Sequence, residues 1–374
     1  VRDLVALDLP AGPQFVRELE ATWASGDAVA PVDQRLAPPA RERLLDMLKP
    51  AWVVTPTGRY RRPGSLPVQD GDALVVATSG SEGEPRGVVL AHSAVAASAR
   101  ATTARLAVAP SEHRWLACLP LSHVGGLAVI TRALLTGTGL RVLPRFDPAA
   151  VMAEAGPEVL VALVPTALRR VEPGAFRTVL LGGSAPPRDL PPNVVTTYGM
   201  TETGSGVVYD GVPLEGVEVA MAGGEIRLRG PMLLRCYRDG TVPLDRDGWL
   251  RTGDAGELDG AGRLHVKGRL SELIITGGEN VWPVAVENVL RQHPGVADVA
   301  VSSRPDPEWG ERVVACVVPR DPAQPPKLEE LRALVRDQVA PFAAPREVVL
   351  MGSLPRTSLG KPRRHALKAL LRRA

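Results

Sequence analysis

From Asp72 the chain runs Ala-Leu-Val-Val-Ala, crosses the loop Thr78-Ser-Gly-Ser-Glu-Gly-Glu-Pro-Arg-Gly87, and enters a small-residue helical pattern from about Ser93 to Leu106. A short apolar run that ends in a Gly-rich loop and leads into a helix reads as a buried strand feeding that helix. The pattern recurs. Arg114 to Leu119 precedes the turn Pro120 to Gly126, Val159 to Val164 follows, and Thr178 to Leu181 runs into Gly182-Gly-Ser-Ala-Pro186. Strands alternating with helices confine the chain to an α/β architecture.

After about residue 205 the pattern changes to short alternating strands, such as Glu225 to Arg229 and Arg263 to Lys267, broken by Gly and Asp turns. This predicts a β-rich subdomain. From Arg269 a helix (Pro283 to Gln292), two strands (Val296 to Ser302, Arg312 to Val318), a helix (Leu328 to Val339) and a strand (Glu347 to Leu350) make a compact α+β unit. A chain of 374 residues exceeds one ordinary core. The expected division is therefore a large N-terminal α/β domain, 1–268, and a small α+β domain, 269–374. Residues 1 to 70 read as short helices, Gly12 to Ala24 and Ala40 to Leu48, with proline-rich joints and a basic patch, Arg59 to Arg62.

Several function classes lack residues. The net charge of +3 comes from 44 basic and 41 acidic side chains spread along the chain, so no basic face for nucleic acid is implied. Cys118, Cys236 and Cys316 are far apart and form no CxxC pair, which fits buried thiols in a reducing compartment. No apolar run has the length of a membrane span and no basic-then-apolar leader opens the chain, so a cytoplasmic location is expected. Both a monomer and a homo-oligomer fit the sequence. There is no Gly-x-Ser-x-Gly elbow and no His-Glu-x-x-His, which removes the support for hydrolase and metalloprotease chemistry.

What remains points to phosphate. In the loop from Thr78, the backbone N–H groups and hydroxyls of Ser79, Gly80, Ser81 and Gly83 can wrap phosphate oxygens, with Arg86 as the countercharge. A plain connection is the alternative for such a loop. In Tyr198-Gly-Met-Thr-Glu202 the ring can stack on a purine, Thr201 can bond a phosphate, and Glu202 can hold Mg²⁺. A hairpin with a solvated glutamate is the alternative there. Asp254, in Arg251-Thr-Gly-Asp254, can accept hydrogen bonds from ribose hydroxyls or simply stabilise its turn. Lysine occurs only at 49, 267, 327, 361 and 368, so Lys361, on a turn before a basic helix, stands out as a mobile charge for a reacting carboxylate and phosphate. The other reading is a solvated basic tail. His123, between a strand and an apolar helix, fits a cap, a core residue or a pocket wall.

In this order the segments resemble the adenylate-forming superfamily of acyl-CoA synthetases, adenylation domains and luciferases, from about Asp72 onward. By that resemblance Thr78 to Gly87 is the phosphate loop and Gly182, Gly183 and Ser184 form the adenine-side strand end. Tyr198, Gly199, Thr201 and Glu202 form the aromatic-Gly-x-Thr-Glu motif. Asp254 and Arg269 contact ATP, Ser271 is a hinge, Gly277 and Gly278 line a channel for coenzyme A, and Lys361 is the adenylation lysine. The resemblance implies ATP, Mg²⁺ and coenzyme A as cofactor and co-substrates, a carboxylic acid as substrate, and a C-terminal domain that moves between two half-reactions.

Within the superfamily the chain is most similar to the o-succinylbenzoate–CoA ligase family of menaquinone synthesis, on Leu119 to Gly126, Leu163-Val-Pro-Thr166, and Tyr198 to Gly204 with Val208 to Pro213. His123, Arg132 and Thr166 are then the acyl-substrate residues, with Arg132 facing a second carboxylate. A helix-surface arginine is the alternative for Arg132. Ligases for other aryl or fatty acids, and a non-catalytic nucleotide- or acyl-binding protein, remain open. Two departures stand out: Ser81-Glu82 replaces the usual pair of threonines, and Arg86 replaces the usual lysine.

Overall fold

The computed structural model describes residues 2–78, 85–187, 189–356 and 362–373. Two compact units emerge, one of residues 1–220 and 227–251, the other of residues 221–226 and 252–374.

The first unit contains two sheets, each seven-stranded among the described residues. One runs in the order Cys236–Tyr237, Gly87–Ala91, Asp72–Ala77, Ala28–Pro31, Leu4–Leu7, Trp52–Thr55, Gly58–Arg61. Residues 1 to 70 thus supply four strands that the sequence reading missed. Leu4–Leu7 and Ala28–Pro31 are four residues long and buried at every position, so neither period nor length marks them. A second correction concerns the Gly-rich loop. Gly87–Ala91 is a strand, and it pairs antiparallel with Asp72–Ala77 from Ala77↔Gly87 to Asp72↔Ala91. The loop therefore joins the two strands of a hairpin, and the helix His92–Arg105 begins one strand later than expected. Val88, Val89 and Leu90 are all buried, which explains why that run carries no alternation.

The other sheet runs in the order Val212–Pro213, Gly206–Tyr209, Val194–Gly199, Thr178–Leu181, Val159–Leu163, Arg114–Ala117, Gly139–Val142. Five of these strands, from Val194–Gly199 to Gly139–Val142, are mutually parallel. The helix Val124–Thr136 connects two of them and is apolar over most of its length. This is the α/β fold expected from the alternation.

The second unit is built on a sheet in the order Glu279–Val281, Ile274–Thr276, Gly310–Pro319, Val296–Asp306, with Glu347–Leu350 also paired to Gly310–Pro319. Its two long strands alternate cleanly. Val299, Val301, Val313 and Val317 pack with Val286, Val289, Leu331 and Val335 of the helices Pro283–Leu290 and Leu328–Gln338. Ala300, Val314 and Cys316 face the other way, against Leu367 and Leu371 of the helix Arg364–Arg373. A period of two on a sheet sandwiched by helices is what buries both faces.

Candidate active site

Parallel strands deliver their C-terminal ends to one edge of a sheet, where α/β proteins hold ligands. Four adjacent strands of the second sheet do this with the segments singled out in the sequence. Arg114–Ala117 leads to the turn holding His123, Val159–Leu163 to Thr166, Thr178–Leu181 to Gly182, Gly183 and Ser184, and Val194–Gly199 to Thr201 and Glu202. Neighbouring strands lie about 4.8 Å apart, so segments separated by up to 80 residues share one rim. Gly182 sits where a Cβ would come within 2.5 Å of Thr197 Oγ1 on the next strand. At Gly199 a Cβ would overlap the Ser205 carbonyl oxygen, so only glycine lets the Tyr198–Glu202 segment turn beneath Gly206–Tyr209.

Glu202 lies in a single 3₁₀ turn, Thr201–Thr203, closed by the buried Thr203 hydroxyl. That hydroxyl accepts from the Met200 N–H at 2.9 Å and lies 2.6 Å from the Ser205 carbonyl oxygen, to which it donates. The Glu202 N-side neighbours thus have little freedom, and its Oε1 accepts a hydrogen bond of 2.9 Å from the Tyr237 hydroxyl. Burial, with the Glu202 charge and hydrogen bond adding to it, pushes the Tyr237 phenol up to about 12, so the phenol is the donor. The Arg86 guanidinium lies over the Tyr237 ring, its Cζ 3.5 Å from the centroid, and its Nη2 pairs with Asp239 at 3.2 Å. The Arg86 N–H donates to Thr78 Oγ1 at 3.0 Å, and the Thr78 N–H to the Arg86 carbonyl at 2.8 Å, closing the neck of the loop.

Arg132 is buried, 2 % exposed, on the helix Val124–Thr136, which removes the helix-surface alternative. Its Nη2 donates to Ser205 Oγ at 3.2 Å and its guanidinium lies 4.8 Å from the Trp115 ring centroid. Its Nε finds no hydrogen-bond partner among the described residues. Burial pushes its pKa below the usual value, the direction expected for a desolvated cation. It abuts a pocket walled by Leu90, Val95, Leu127, Thr131, Gly204 and Met232. His123 occupies the N-cap position of the same helix, about 13 Å along the axis from Arg132. Its Nε2 lies 3.2 Å from Arg35 Nη2 and 3.9 Å from Asp33 Oδ2. Thr166 is exposed at the start of the short helix Pro165–Leu168. No hydrogen bond joins His123, Arg132 and Thr166 to one another.

In the second unit Asp254 faces Arg269 across an antiparallel pair, Oδ1 to Nε 3.0 Å, and Arg269 Nη1 donates to the Thr252 carbonyl at 2.8 Å. Thr252 Oγ1 donates to the Ile226 carbonyl at 2.7 Å, and the Asp254 N–H donates to that same Oγ1 at 3.0 Å. Asp254 lies within the strand Leu250–Leu258 rather than on the turn expected from the sequence, and these contacts hold it there. Ser271 is exposed in the 3₁₀ turn Leu270–Glu272, and Gly277 and Gly278 are exposed in the turn between Ile274–Thr276 and Glu279–Val281.

The family description "AMP-binding enzyme" matches residues 61–238, and "AMP-binding enzyme C-terminal domain" matches residues 285–361. A relative named probable 2-succinylbenzoate–CoA ligase, from Mycobacterium tuberculosis, is 39 % identical over 360 residues, covering 88 % of this chain and 93 % of the relative. The chain is an AMP-binding enzyme. A feruloyl-CoA synthase from a Streptomyces species is 33 % identical over 428 residues, covering 96 % and 87 % of the two chains. Among solved structures, o-succinylbenzoate CoA synthetase from Bacillus subtilis, in complex with its acyl-adenylate intermediate, superposes with a TM-score of 0.87 at 26 % identity, over 98 % of this chain and 89 % of that one.

Ser79, Gly80, Ser81, Gly83 and the adenylation lysine candidate, Lys361, lie outside the described residues. No helix among the described residues is long and apolar enough to cross a membrane. No cluster of three or more His, Cys, Asp or Glu among the described residues forms a cage for a metal. A single carboxylate such as Glu202 suits Mg²⁺ that arrives on a nucleotide, because that ion keeps waters and phosphates as most of its ligands. Tyr237 was missed in the sequence; its only signal there was an aromatic two residues before Asp239.

Proposed function

We propose that the chain joins o-succinylbenzoate to coenzyme A through an acyl-adenylate, at the expense of ATP. In the first half-reaction a carboxylate oxygen attacks the α-phosphorus of ATP, the bond to the β-phosphate oxygen breaks, and pyrophosphate leaves. In the second, the coenzyme A thiol loses its proton, its sulfur attacks the acyl carbon, and AMP leaves.

The residues divide that work. Thr78 and Arg86 frame the neck of the phosphate loop, Tyr198 and the Gly182–Ser184 turn offer the adenine its surface, and Asp254 takes the ribose. Glu202 supplies a carboxylate oxygen for Mg²⁺, which would neutralise charge on the departing phosphates. Lys361 is assigned the charge between the carboxylate and the α-phosphate. Because the thioester step needs that lysine out of the way and a path for the thiol, residues 269–374 would move as a domain about Ser271 and present Gly277 and Gly278.

The observation that carries the choice of acid is Arg132. A guanidinium that is 2 % exposed, lines a pocket and donates to a neutral Ser205 hydroxyl is suited to an anionic partner. A substrate with a second carboxylate meets that need, and an acid with one carboxylate does not. The test is AMP release from ATP with o-succinylbenzoate, with and without coenzyme A, beside ferulate and a fatty acid. Release with o-succinylbenzoate alone supports the assignment; release with ferulate or a fatty acid and none with o-succinylbenzoate overturns it.

A further inference from the structure

Tyr237 sits on a two-residue strand that would be too short to hold itself. Both of its flanks are anchored by arginine. Arg235 donates to both oxygens of the buried Asp72, at 2.8 Å each, from across the sheet. Arg238, 8 % exposed, donates to the carbonyls of Leu48 at 2.8 Å, Pro67 at 2.9 Å, Lys49 at 3.3 Å and Leu66. Strand alternation sends Cys236 into the core with Val75 and Val89 and leaves Tyr237 on the opposite face. A side chain fixed this firmly, and not used to fill the core, is suited to hold something else in place.

What it touches are two groups that the proposed function uses. Its hydroxyl meets Glu202 Oε1, and its ring carries the Arg86 guanidinium. Among the described residues Tyr237 is the one hydrogen-bond partner of the Glu202 carboxylate, so the other oxygen is left for a cation. We propose that Tyr237 is a positioning residue that aims the Glu202 carboxylate at the metal of a bound Mg·ATP and carries Arg86 on its ring. The inference rests on the role given to Glu202 above.

The experiment is calorimetric titration of ATP into the full chain, without acid or coenzyme A, in Mg²⁺ and in EDTA, for wild type, Tyr237→Phe, Glu202→Gln and the double variant. Removing the hydroxyl but keeping the ring costs one hydrogen bond to a charged group, so Tyr237→Phe should lower the affinity in Mg²⁺ about 10-fold. Its affinity in EDTA should stay within about twofold, higher Mg²⁺ should restore binding, and the double variant should bind like Glu202→Gln, since paired groups are not additive. Tyr237→Leu, which also removes the ring, should weaken binding in EDTA as well, by about fivefold through loss of the stacked Arg86. Wild-type affinity in Tyr237→Phe, equal losses in Mg²⁺ and EDTA, or losses of the two single variants that multiply, would each overturn the positioning role. A wild-type protein whose ATP affinity does not rise with Mg²⁺ would instead overturn the role of Glu202 itself, and the inference with it.

Discussion

Replacing Arg132 by Met keeps the length of the side chain and deletes its charge, which separates what the guanidinium does for the fold from what it does for the substrate. For the fold the terms nearly cancel. The variant loses one hydrogen bond to Ser205 and the Trp115 contact, about 1 kcal/mol each, and regains the cost of keeping a cation out of water. Stability should therefore change by no more than about 1–2 kcal/mol. For the substrate they do not cancel. A carboxylate bound by a buried guanidinium gains a charge-assisted pair of about 3 kcal/mol, so kcat/KM for o-succinylbenzoate should fall about 100-fold. The assay is pyrophosphate release under steady-state conditions, with the KM for ATP measured alongside. Acids with one carboxylate should lose nothing, and the KM for ATP should hold. Arg132→Lys should recover only part of the loss, because an ammonium does not reproduce the planar fork. Equal losses for acids with one and two carboxylates, or an unchanged kcat/KM for o-succinylbenzoate, would show that Arg132 is structural.

Lys361→Ala should abolish adenylate formation, measured as ATP–pyrophosphate exchange, and leave conversion of supplied acyl-adenylate to thioester within a few-fold; loss of both steps would contradict the assignment. Arg364 bridges Glu272 at 2.7 Å and the buried Glu287, and donates to the Val301 carbonyl at 2.8 Å. Arg364→Met leaves those carboxylates unbalanced and should destabilise the second unit by about 3–5 kcal/mol in urea unfolding, with Glu287→Gln recovering part of it. Burial pushes the Cys118 thiol up to about 12 from 9.0 in an open chain. Because the folded value is the higher one, its contribution to stability is complete below about pH 9 and is lost as pH rises from there toward 12. Alkylation of Cys118 by iodoacetamide at pH 8 should accordingly occur only after unfolding, as peptide mapping would show.

The sequence made the rim of the site readable and left its interior unreadable, for a physical reason. The motifs at His123, Thr166 and Gly182 follow apolar runs, and the one at Glu202 follows the half-polar strand Val194–Gly199; parallel pairing of these strands brings their ends together without further information. Contacts across the sheets carry no such local sign. Tyr237 lies 35 residues from Glu202 on a two-residue strand, and Arg235 lies 163 residues from Asp72. Arg132 did leave a trace. Its helix, Val124–Thr136, is apolar around most of its circumference, and the run Val129–Ala133 is buried with its one arginine included, while Leu135 is exposed. The strands before residue 70 were lost because four buried residues show neither a period of two nor one of 3.6.

Arginine at position 86 then ceases to be a mere departure from the family's lysine. A planar guanidinium can lie over the Tyr237 ring and still point Nη2 at Asp239, 3.2 Å away; an ammonium, a point charge with a full hydration shell, cannot do both. The consequence reaches Glu202. An arginine and a glutamate that share one tyrosine could instead pair with each other, which would take the carboxylate away from a metal. Here each has its own contact with Tyr237: Arg86 is held over the ring and by Asp239, and Glu202 is held by the hydroxyl. Arg86 and Glu202 thus have separate partners on one tyrosine, the arrangement that the roles proposed for them require. Substituting Lys at 86 alone would lose the planar fork that makes both contacts, so the arginine and the tyrosine are best understood as one device.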